Sequence, residues 1–172
     1  LKLEENLPII FVLGGSLGSQ SINNALLDAL PDLVQKYQII HQTGRQNYDD
    51  IVARTGVVLE GDAFKGHYQV FPYLESLAMR MAAGVADLVI SRAGSAIFEI
   101  AHWGIPAIII PIPETVSHDQ RSNAFAYARA GGAVVIEENN IAPSILIAEI
   151  DRILSNPELK IKMKEAAKNF AQ

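Results

Sequence analysis

Residues 11–26, "FVLGGSLGSQSINNAL", join an apolar run to a glycine-rich turn and then to a stretch whose apolar residues recur at helical spacing. This order predicts a strand that enters a helix through one tight turn. The N–H groups and the dipole at such a helix start favour an anion. Glycines such as Gly15 and Gly18 would let a phosphate approach the backbone closely, and Ser16 could donate a hydroxyl hydrogen bond. The alternative is a plain strand-to-helix connection in which the serine caps the helix. The stretch alone leaves both interpretations open.

The same order of strand, turn and helix recurs along the rest of the chain. Apolar runs predict strands at 8–14, 37–42, 68–73, 87–91, 107–111 and 133–137, and helical spacing predicts helices at 19–30, 95–103, 118–130, 143–154 and 157–170. Residues 45–67 are ambiguous, because Gly56 and Gly61 interrupt a helical pattern. Runs that are apolar throughout are typical of strands covered on both faces. We therefore predict an α/β fold with a doubly wound parallel sheet, whose ligands bind beyond the carboxyl ends of the strands.

Composition narrows the functional classes. The 172 residues fit one domain, and 49% hydrophobic with 19% charged residues indicates a globular chain. The absence of cysteine excludes a disulfide framework and a thiolate nucleophile. A net charge of −5 argues against a general nucleic-acid surface, and no apolar run approaches the ~20 residues of a membrane span. Because the chain starts at Leu1, we expect residues 1–7 to be a linker remnant, residues 8–172 to be the domain, and a further part to precede them.

A second loop repeats the layout of the first one. Residues 91–95, "SRAGS", follow the strand at 87–91 and precede a helix. Two such loops on one sheet raise the odds of a bound phosphate or diphosphate. Glu99 lies about one helical turn after Ser95, where the dipole favours a carboxylate whatever its role. It could accept hydrogen bonds from two ribose hydroxyls, or it could be only a first-turn helix acid.

A third polar segment follows the strand at 107–111 and enters a helix at "HDQRSNA". Gln120 and Asn123 are neutral groups suited to sugar hydroxyls, although Asn123 could equally be a surface residue of the helix. Adjacent residues on a helix do not face each other, so His118 and Asp119 do not make a convincing general-base pair. His41 ends a strand and is interpreted as a packing or capping residue. The four histidines form no metal-binding motif.

Four segments together, "GGSLGSQSIN", "HQTG", "ADLVISRAGSAIFEIAHWGIPAIIIPIP" and "HDQRSNA", resemble the C-terminal half of the MurG family of bacterial glycosyltransferases. The resemblance spans essentially the whole chain, and it rests on the order of the segments rather than on one motif. Members of this family transfer N-acetylglucosamine to the lipid-linked muramyl-pentapeptide precursor of peptidoglycan. They have two Rossmann-like domains that face a cleft (the GT-B architecture), and the C-terminal domain binds the UDP-sugar donor.

The resemblance implies a role for individual residues of this chain. Ser16 would contact a donor phosphate, the backbone of Leu74 would face uracil, Glu99 would bind the ribose hydroxyls, and Gln120 would bind the sugar hydroxyls. The turn at 94–97 would hold the diphosphate through its N–H groups. The complete implied donor site is Gly15, Ser16, Gly18, Leu74, Arg92, Gly94, Ser95, Ala96, Ile97, Glu99, Gln120 and Asn123. We expect no catalytic residue, no metal ion and no other cofactor in this chain.

Two departures from the family pattern affect these assignments. The family usually reads "RAGALTISE", with eight steps from arginine to glutamate, whereas "RAGSAIFE" takes seven and lacks the customary threonine. Either Ser95 supplies the missing hydroxyl or the backbone alone holds the diphosphate. The usual "DHQ" before the asparagine is "HDQ" here, so His118 and Asp119 inherit no role.

The resemblance also implies partners and a location. The partners would be UDP-N-acetylglucosamine, an N-terminal acceptor domain and, through that domain, a lipid-linked acceptor, whereas no nucleic acid is expected. The full-length protein would be cytoplasmic and peripheral on the inner face of the membrane. The alternatives are the donor half of another GT-B transferase or sugar-nucleotide epimerase, and a non-catalytic module that binds a nucleotide sugar.

Overall fold

The structure, a computed structural model, describes residues 3–14, 19–113 and 115–172. Its strands are β1 Ile9–Leu13, β2 Gln38–Gln42, β3 Tyr68–Phe71, β4 Leu88–Ser91, β5 Ala107–Ile109 and β6 Ala133–Val135. They form one parallel sheet in the order β3-β2-β1-β4-β5-β6. Every strand predicted from the apolar runs is present, and the doubly wound, Rossmann-like sheet is confirmed.

Helices connect consecutive strands and cover both faces of the sheet. They are α1 Gln20–Leu33, α2 Tyr48–Val58, α3 Ser76–Val85, α4 Ala96–Trp103, α5 His118–Ala130, α6 Pro143–Leu154 and α7 Pro157–Phe170. All five predicted helices are present. Helix α3 was not predicted, because apolar residues such as Leu77 and Met81 also occupy its exposed face and hide the division into two faces.

Helix α1 is longer than predicted. The helical spacing predicted an end at residue 30, and the next residue is Pro31, which removes one backbone donor from a helix. The structure continues the helix through Pro31 to Leu33, and the amide of Val34 still donates to the carbonyl of Leu30 at 3.0 Å. Leu30, Leu33 and Val34 are completely or almost completely buried. Their burial offsets the hydrogen bond that the proline cannot make.

The ambiguous segment contains a helix and a turn. Helix α2 includes Gly56, where nothing lies near the position that a Cβ would take. Gly61 follows the helix with φ of 73°, a left-handed conformation that suits glycine. The chain then makes a short 3₁₀ turn at Lys65–His67 and enters β3. The helical pattern before Gly56 was therefore genuine, and the chain turns at the second glycine.

The core consists of two apolar layers, one on each face of the sheet. One layer packs α1, α2 and α6 against Ile10, Val12, Ile39 and Ile90. The other packs α3, α4, α5 and α7 against the opposite side chains of the same strands. Because helices cover both faces of the sheet, a ligand can reach the sheet at the ends of its strands. No helix among the described residues is long and apolar enough to span a bilayer.

Helix α5 ends at a pair of glycines, Gly131 and Gly132. Gly131 has φ of 96° and caps the helix in the left-handed conformation. Gly132 lies under the ring of Tyr127, and a Cβ there would be 2.3 Å from Cε2 of that ring. The ring packs in turn against that of Phe170 in a tilted arrangement, with 4.8 Å between the ring centroids. This contact fixes α5 and α7 against the same side of the sheet.

Candidate functional site

The strand order reverses between β1 and β4, which start the two halves of the sheet. Leu13 at the end of β1 pairs with Ser91 at the end of β4, so the two strands finish level with each other. In open α/β sheets the crevice beyond such a switch point is the usual ligand site. Gly14, which follows β1, and the "SRAGS" loop, which follows β4, lie at this crevice.

A cavity of about 480 Å³ opens at this edge, on the β2 side of the switch point. Its lining combines apolar, aromatic and charged side chains: Leu13, Gln42, Tyr73, Leu74, Ser76, Met79, Arg80, Ala96, Glu99 and Trp103. Three of these, Leu74, Ala96 and Glu99, belong to the predicted donor site. They come from two different connections, so the fold brings together residues that lie up to 25 positions apart in the sequence.

The backbone of Leu74 is already engaged in the structure. Its N–H donates to Oε1 of Gln42 at 2.9 Å, and both residues are buried. A ligand that needed this N–H would have to displace the Gln42 side chain. Sequence reasoning missed Gln42, although its position at the end of a strand beyond which a ligand was expected was a usable signal.

Glu99 lies on the first turn of α4 with an exposed side chain that lines the cavity. The helix dipole stabilises a carboxylate at this position. The side chain of Trp103, one turn further on, is half-buried; it contacts the core layer beneath it and lines the same cavity. The carboxylate therefore reaches the cavity from a helix that is fixed by its buried face.

The start of α4 provides fewer backbone donors than the turn at 94–97 was expected to provide. The N–H of Ile97 donates to the carbonyl of Gly94 at 3.2 Å, and the N–H of Phe98 donates to that of Ser95 at 3.2 Å. The side chain of Ile97 is completely buried. The first N–H groups of a helix have no intrahelical acceptor, so Ser95 and Ala96 carry the donors that remain for an anion. The exposed hydroxyl of Ser95 does not cap the helix.

A buried polar network lies between α1 and the ends of β2 and β3. Nδ2 of Asn23 donates to the carbonyl of Thr43 at 3.2 Å, which leaves Oδ1 as the acceptor that faces Nε2 of His41 at 2.7 Å. Nε2 therefore carries the proton of His41, and Nδ1 accepts from the hydroxyl of Tyr68 at 2.7 Å. Burial lowers the pKa of His41 to about 3, so the ring is neutral. The packing role predicted for His41 agrees with these contacts, which tie α1 to β2 and β3.

Arg92 lies at the second loop but does not extend into the cavity. Its guanidinium donates to the carbonyls of Ile110 at 3.3 Å and Pro111 at 3.2 Å, and to Oε1 of Glu138 at 3.0 Å. These contacts join the loop after β4 to the end of β5 and to the turn after β6. The predicted contact of Arg92 with a donor stays a prediction.

Gln120 and Gly94 lie next to each other on the β5 side of the crevice. A Cβ at Gly94 would be 3.5 Å from Nε2 of Gln120, and Oε1 of Gln120 accepts from the N–H of Ile112 at 3.2 Å. Helix α5 starts with Ser117, whose hydroxyl caps the N–H of Gln120. Asn123 is half-buried one turn further on. The structure thus places both predicted sugar-binding residues on the helix after β5.

Three predicted phosphate-site residues, Gly15, Ser16 and Gly18, lie outside the described residues. What the structure does describe is the helix that follows them, which is capped by Ser19 through the N–H of Ile22. Within the described ranges no group of three or more histidine, cysteine, aspartate or glutamate side chains is arranged to hold a metal ion.

Comparisons with known proteins agree with this geometry. The profile of the glycosyltransferase family 28 C-terminal domain matches residues 9–172. A UDP-N-acetylglucosamine--N-acetylmuramyl-(pentapeptide) pyrophosphoryl-undecaprenol N-acetylglucosamine transferase from Limosilactobacillus fermentum is 33% identical over 168 residues, which are 96% of this chain and 44% of the relative.

Two solved structures share the fold. The crystal structure of Acinetobacter baumannii MurG superposes with a TM-score of 0.80 at 30% identity, over 99% of this chain and 47% of that one. A UDP-GlcNAc 2-epimerase from Neisseria meningitidis, solved with UDP-GlcNAc bound, has a TM-score of 0.66 at 12% identity over 96% of this chain and 40% of that one, which shows a common fold alone. The chain spans less than half the length of these proteins. By its sequence profile and its relatives, the chain belongs to the glycosyltransferase family 28 C-terminal domains.

Proposed function

We propose that this chain is the donor-binding half of an N-acetylglucosaminyltransferase that acts in peptidoglycan synthesis, and that its crevice binds UDP-N-acetylglucosamine. The observation that carries the proposal is the cavity at the switch point, where Leu74, Ala96 and Glu99 meet. Its volume of about 480 Å³ is in the range of ligand pockets. The name of the Limosilactobacillus fermentum relative, a transferase of this activity, supports the same assignment.

The chemistry of the lining suits a nucleoside. The cavity offers an apolar and aromatic wall for a base, including Tyr73 and Leu74, and a carboxylate for the ribose in Glu99. A carboxylate that accepts from two vicinal hydroxyls forms charge-assisted hydrogen bonds, which are stronger than neutral ones. Glu99 would therefore distinguish a ribonucleotide from a deoxyribonucleotide.

The diphosphate would lie between the starts of α1 and α4. Unpaired N–H groups at Ser95 and Ala96, together with the helix dipole, favour the negative charge of a diphosphate. The leaving group of the transfer is UDP, on which negative charge develops. Donors that are fixed before the reaction stabilise such charge without reorganisation. Gln120, on the far side of Gly94, would then face the sugar.

The reaction would also need residues that this chain does not contribute. We propose that the acceptor site and the catalytic base belong to an N-terminal domain, which faces the crevice across a cleft. The lipid-linked acceptor would be reached through that domain, with the protein on the cytoplasmic face of the membrane. The chain on its own would therefore bind the donor and transfer nothing.

Calorimetry on the purified chain tests the proposal. We expect UDP and UDP-N-acetylglucosamine to bind weakly, and ADP at the same concentration to bind at least tenfold more weakly. A parallel assay for glycosyl transfer to a lipid-linked acceptor should give no product. Equal affinity for ADP and UDP would overturn the assignment of the base site, and turnover by this chain alone would overturn the division of roles between two domains.

A further inference from the structure

Glu138 joins two of the connections that surround the crevice. It lies in the 3₁₀ turn Glu138–Asn140 that follows β6. Its Oε1 accepts from the hydroxyl of Ser21 and also from the guanidinium of Arg92, the latter at 3.0 Å. Ser21 is the second residue of α1, and Arg92 belongs to the loop between β4 and α4. One carboxylate oxygen therefore connects the start of the first helix to the loop that leads into α4.

Arg92 extends the connection to the third segment. Its other nitrogen donates to the carbonyls of Ile110 and Pro111 at the end of β5. The N–H of the next residue, Ile112, is bonded to the side chain of Gln120. Ser21, Arg92 and Gln120 thus belong to one connected set of hydrogen bonds, in which Glu138 supplies the carboxylate.

The bridge is ionised and largely shielded from water. The side chains of Arg92 and Glu138 are 17% and 20% exposed. The hydrogen bond from Arg92 holds the pKa of the Glu138 carboxyl below its usual range, so the pair is charged at neutral pH. Partly buried, charge-assisted hydrogen bonds hold a geometry more firmly than exposed ones. The neighbouring pair Arg121–Glu137 is also short, at 2.8 Å, but is 41% and 43% exposed.

We infer that Glu138 is a positioning residue of the donor site: it fixes the start of α1 relative to the Arg92 loop, so that the N-termini of α1 and α4 converge on one diphosphate. This inference rests on the proposed function. Glu138 acts through Ser21 and Arg92 rather than by touching the donor. In its absence the guanidinium of Arg92 would keep its two carbonyl acceptors but lose its counter-ion, and Ser21 would lose its acceptor.

The test compares Glu138→Gln with Glu137→Gln, which removes the adjacent and more exposed ion pair. UDP and uridine are titrated against wild type and both variants by NMR. We expect Glu138→Gln to weaken UDP binding about tenfold and to change uridine binding less than twofold, since the base and ribose cavity lies beyond the network. Glu137→Gln should leave both affinities within twofold of wild type. Glu138→Asp keeps the charge and should recover part of the UDP affinity.

Hydrogen exchange separates positioning from general destabilisation. Glu138→Gln should speed amide exchange at residues 19–23 and 92–96 by at least threefold, while the amides of β1 and β4 exchange as in wild type. Identical UDP affinity in the Glu138 and Glu137 variants would overturn the inference, and so would an equal loss of UDP and uridine binding. If wild type itself did not bind UDP, the proposed function would fail and this inference would fail with it. If wild type bound UDP but the Glu138 variant behaved like the Glu137 variant, only this inference would fail.

Discussion

The crevice has two sides that are built differently. The open side is the cavity next to β2, formed by Gln42, Leu74, Ala96 and Glu99. The bridged side lies towards β5 and β6 and is formed by Ser21, Arg92, Gln120 and Glu138. On the bridged side the charged groups are paired with each other at 3.0 Å, whereas Glu99 on the open side extends an exposed carboxylate into a cavity of about 480 Å³.

This difference separates recognition from preorganisation. Side chains on the bridged side use their hydrogen bonds within the protein, so their geometry is set before a ligand arrives. Preorganised donors are what a diphosphate leaving group requires. On the open side a carboxylate remains in contact with solvent. Such a group can be selective for ligands whose hydroxyls donate hydrogen bonds to it.

The largest expected effect concerns the buried hydrogen-bond network around His41, which lies between α1 and the strands β2 and β3. His41→Ala removes the partner of Oδ1 of Asn23, which is buried, and of the Tyr68 hydroxyl, which is partly buried. An unsatisfied buried polar group costs about 1–3 kcal/mol, and the cavity left by the ring adds to this. We expect the free energy of unfolding in urea to fall by about 3–5 kcal/mol. A loss below about 1 kcal/mol would show that the network contributes little to the fold; His102→Gln, on an exposed helix position, is the control.

The same network predicts an acid-dependent loss of stability. The pKa of His41 is about 3 in the folded chain because of burial, and about 6.5 in an unfolded chain. The neutral ring is thus favoured by folding, so its contribution is complete above pH 6.5 and is lost as the pH falls from 6.5 towards 3. Between pH 7.5 and pH 4.5 the free energy of unfolding should fall by about 3 kcal/mol. Urea denaturation of wild type and His41→Phe across this pH range measures the loss. If the free energy of unfolding changed with pH by the same amount in both proteins, the prediction would be contradicted.

Glu99→Gln tests the open side directly. If Glu99 accepts from both ribose hydroxyls, the amide should weaken UDP binding by roughly 1.5–3 kcal/mol, or about ten- to a hundred-fold in affinity. Binding of 2′-deoxy-UDP, which has already lost one of the hydroxyls, should weaken less. Calorimetry with both ligands, and a melting curve for each protein, supplies the measurement.

The alternative for Glu99 has a different signature. A first-turn helix acid would contribute a few tenths to about 1 kcal/mol to stability through the dipole. Its replacement would then lower the melting temperature slightly and leave both ligands bound as before. Equal losses for UDP and 2′-deoxy-UDP would remove Glu99 from the ribose site.

Gly94→Ala tests where the two sides meet. The φ angle of Gly94 is not in the left-handed region, and a Cβ there would make an ordinary 3.5 Å contact with Gln120. The methyl group therefore fits the fold, but it would occupy the space through which a diphosphate approaches the backbone. We expect unchanged or slightly higher stability and a roughly tenfold loss of UDP affinity, about 1.4 kcal/mol. The control is Gly56→Ala in α2, where a Cβ would also fit without a clash. Unchanged UDP affinity in Gly94→Ala would show that the diphosphate does not approach the backbone closely at Gly94.

The fold could be predicted further than the site. Strands such as Ile9–Leu13 and Leu88–Ser91 are apolar throughout because both of their faces are covered, and that pattern is local. Helix α3 escaped prediction because its exposed face carries Leu77 and Met81. The tertiary burial of Leu30 and Leu33 likewise extended α1 beyond a proline that should have ended it.

On each side of the crevice the sequence identified some residues and missed others. Glu99 was identified because it follows its loop by one helical turn. Glu138 was not, since its partners Arg92 and Ser21 lie 46 and 117 positions away and nothing in "VIEENN" marks the residue. The roles of the residues after β1, Gly15, Ser16 and Gly18, remain predictions from the resemblance alone.

The smallest expected effect concerns divalent cations. If the helix starts on the two sides neutralise the diphosphate, UDP affinity in EDTA should lie within twofold of the affinity in millimolar Mg²⁺ at equal ionic strength. The sequence supports this expectation, because no Asp-X-Asp pair stands beside either glycine-containing loop, and N–H groups at helix N-termini bind phosphate without a metal. Glu138, the carboxylate that pairs with Arg92 of the second loop, is held by that guanidinium at 3.0 Å. Calorimetry in the two buffers, with Glu138→Gln as a second sample, measures the effect; a strict requirement for Mg²⁺ in wild type would mean that a cation, and not the convergence of the two sides, balances the charge of the donor.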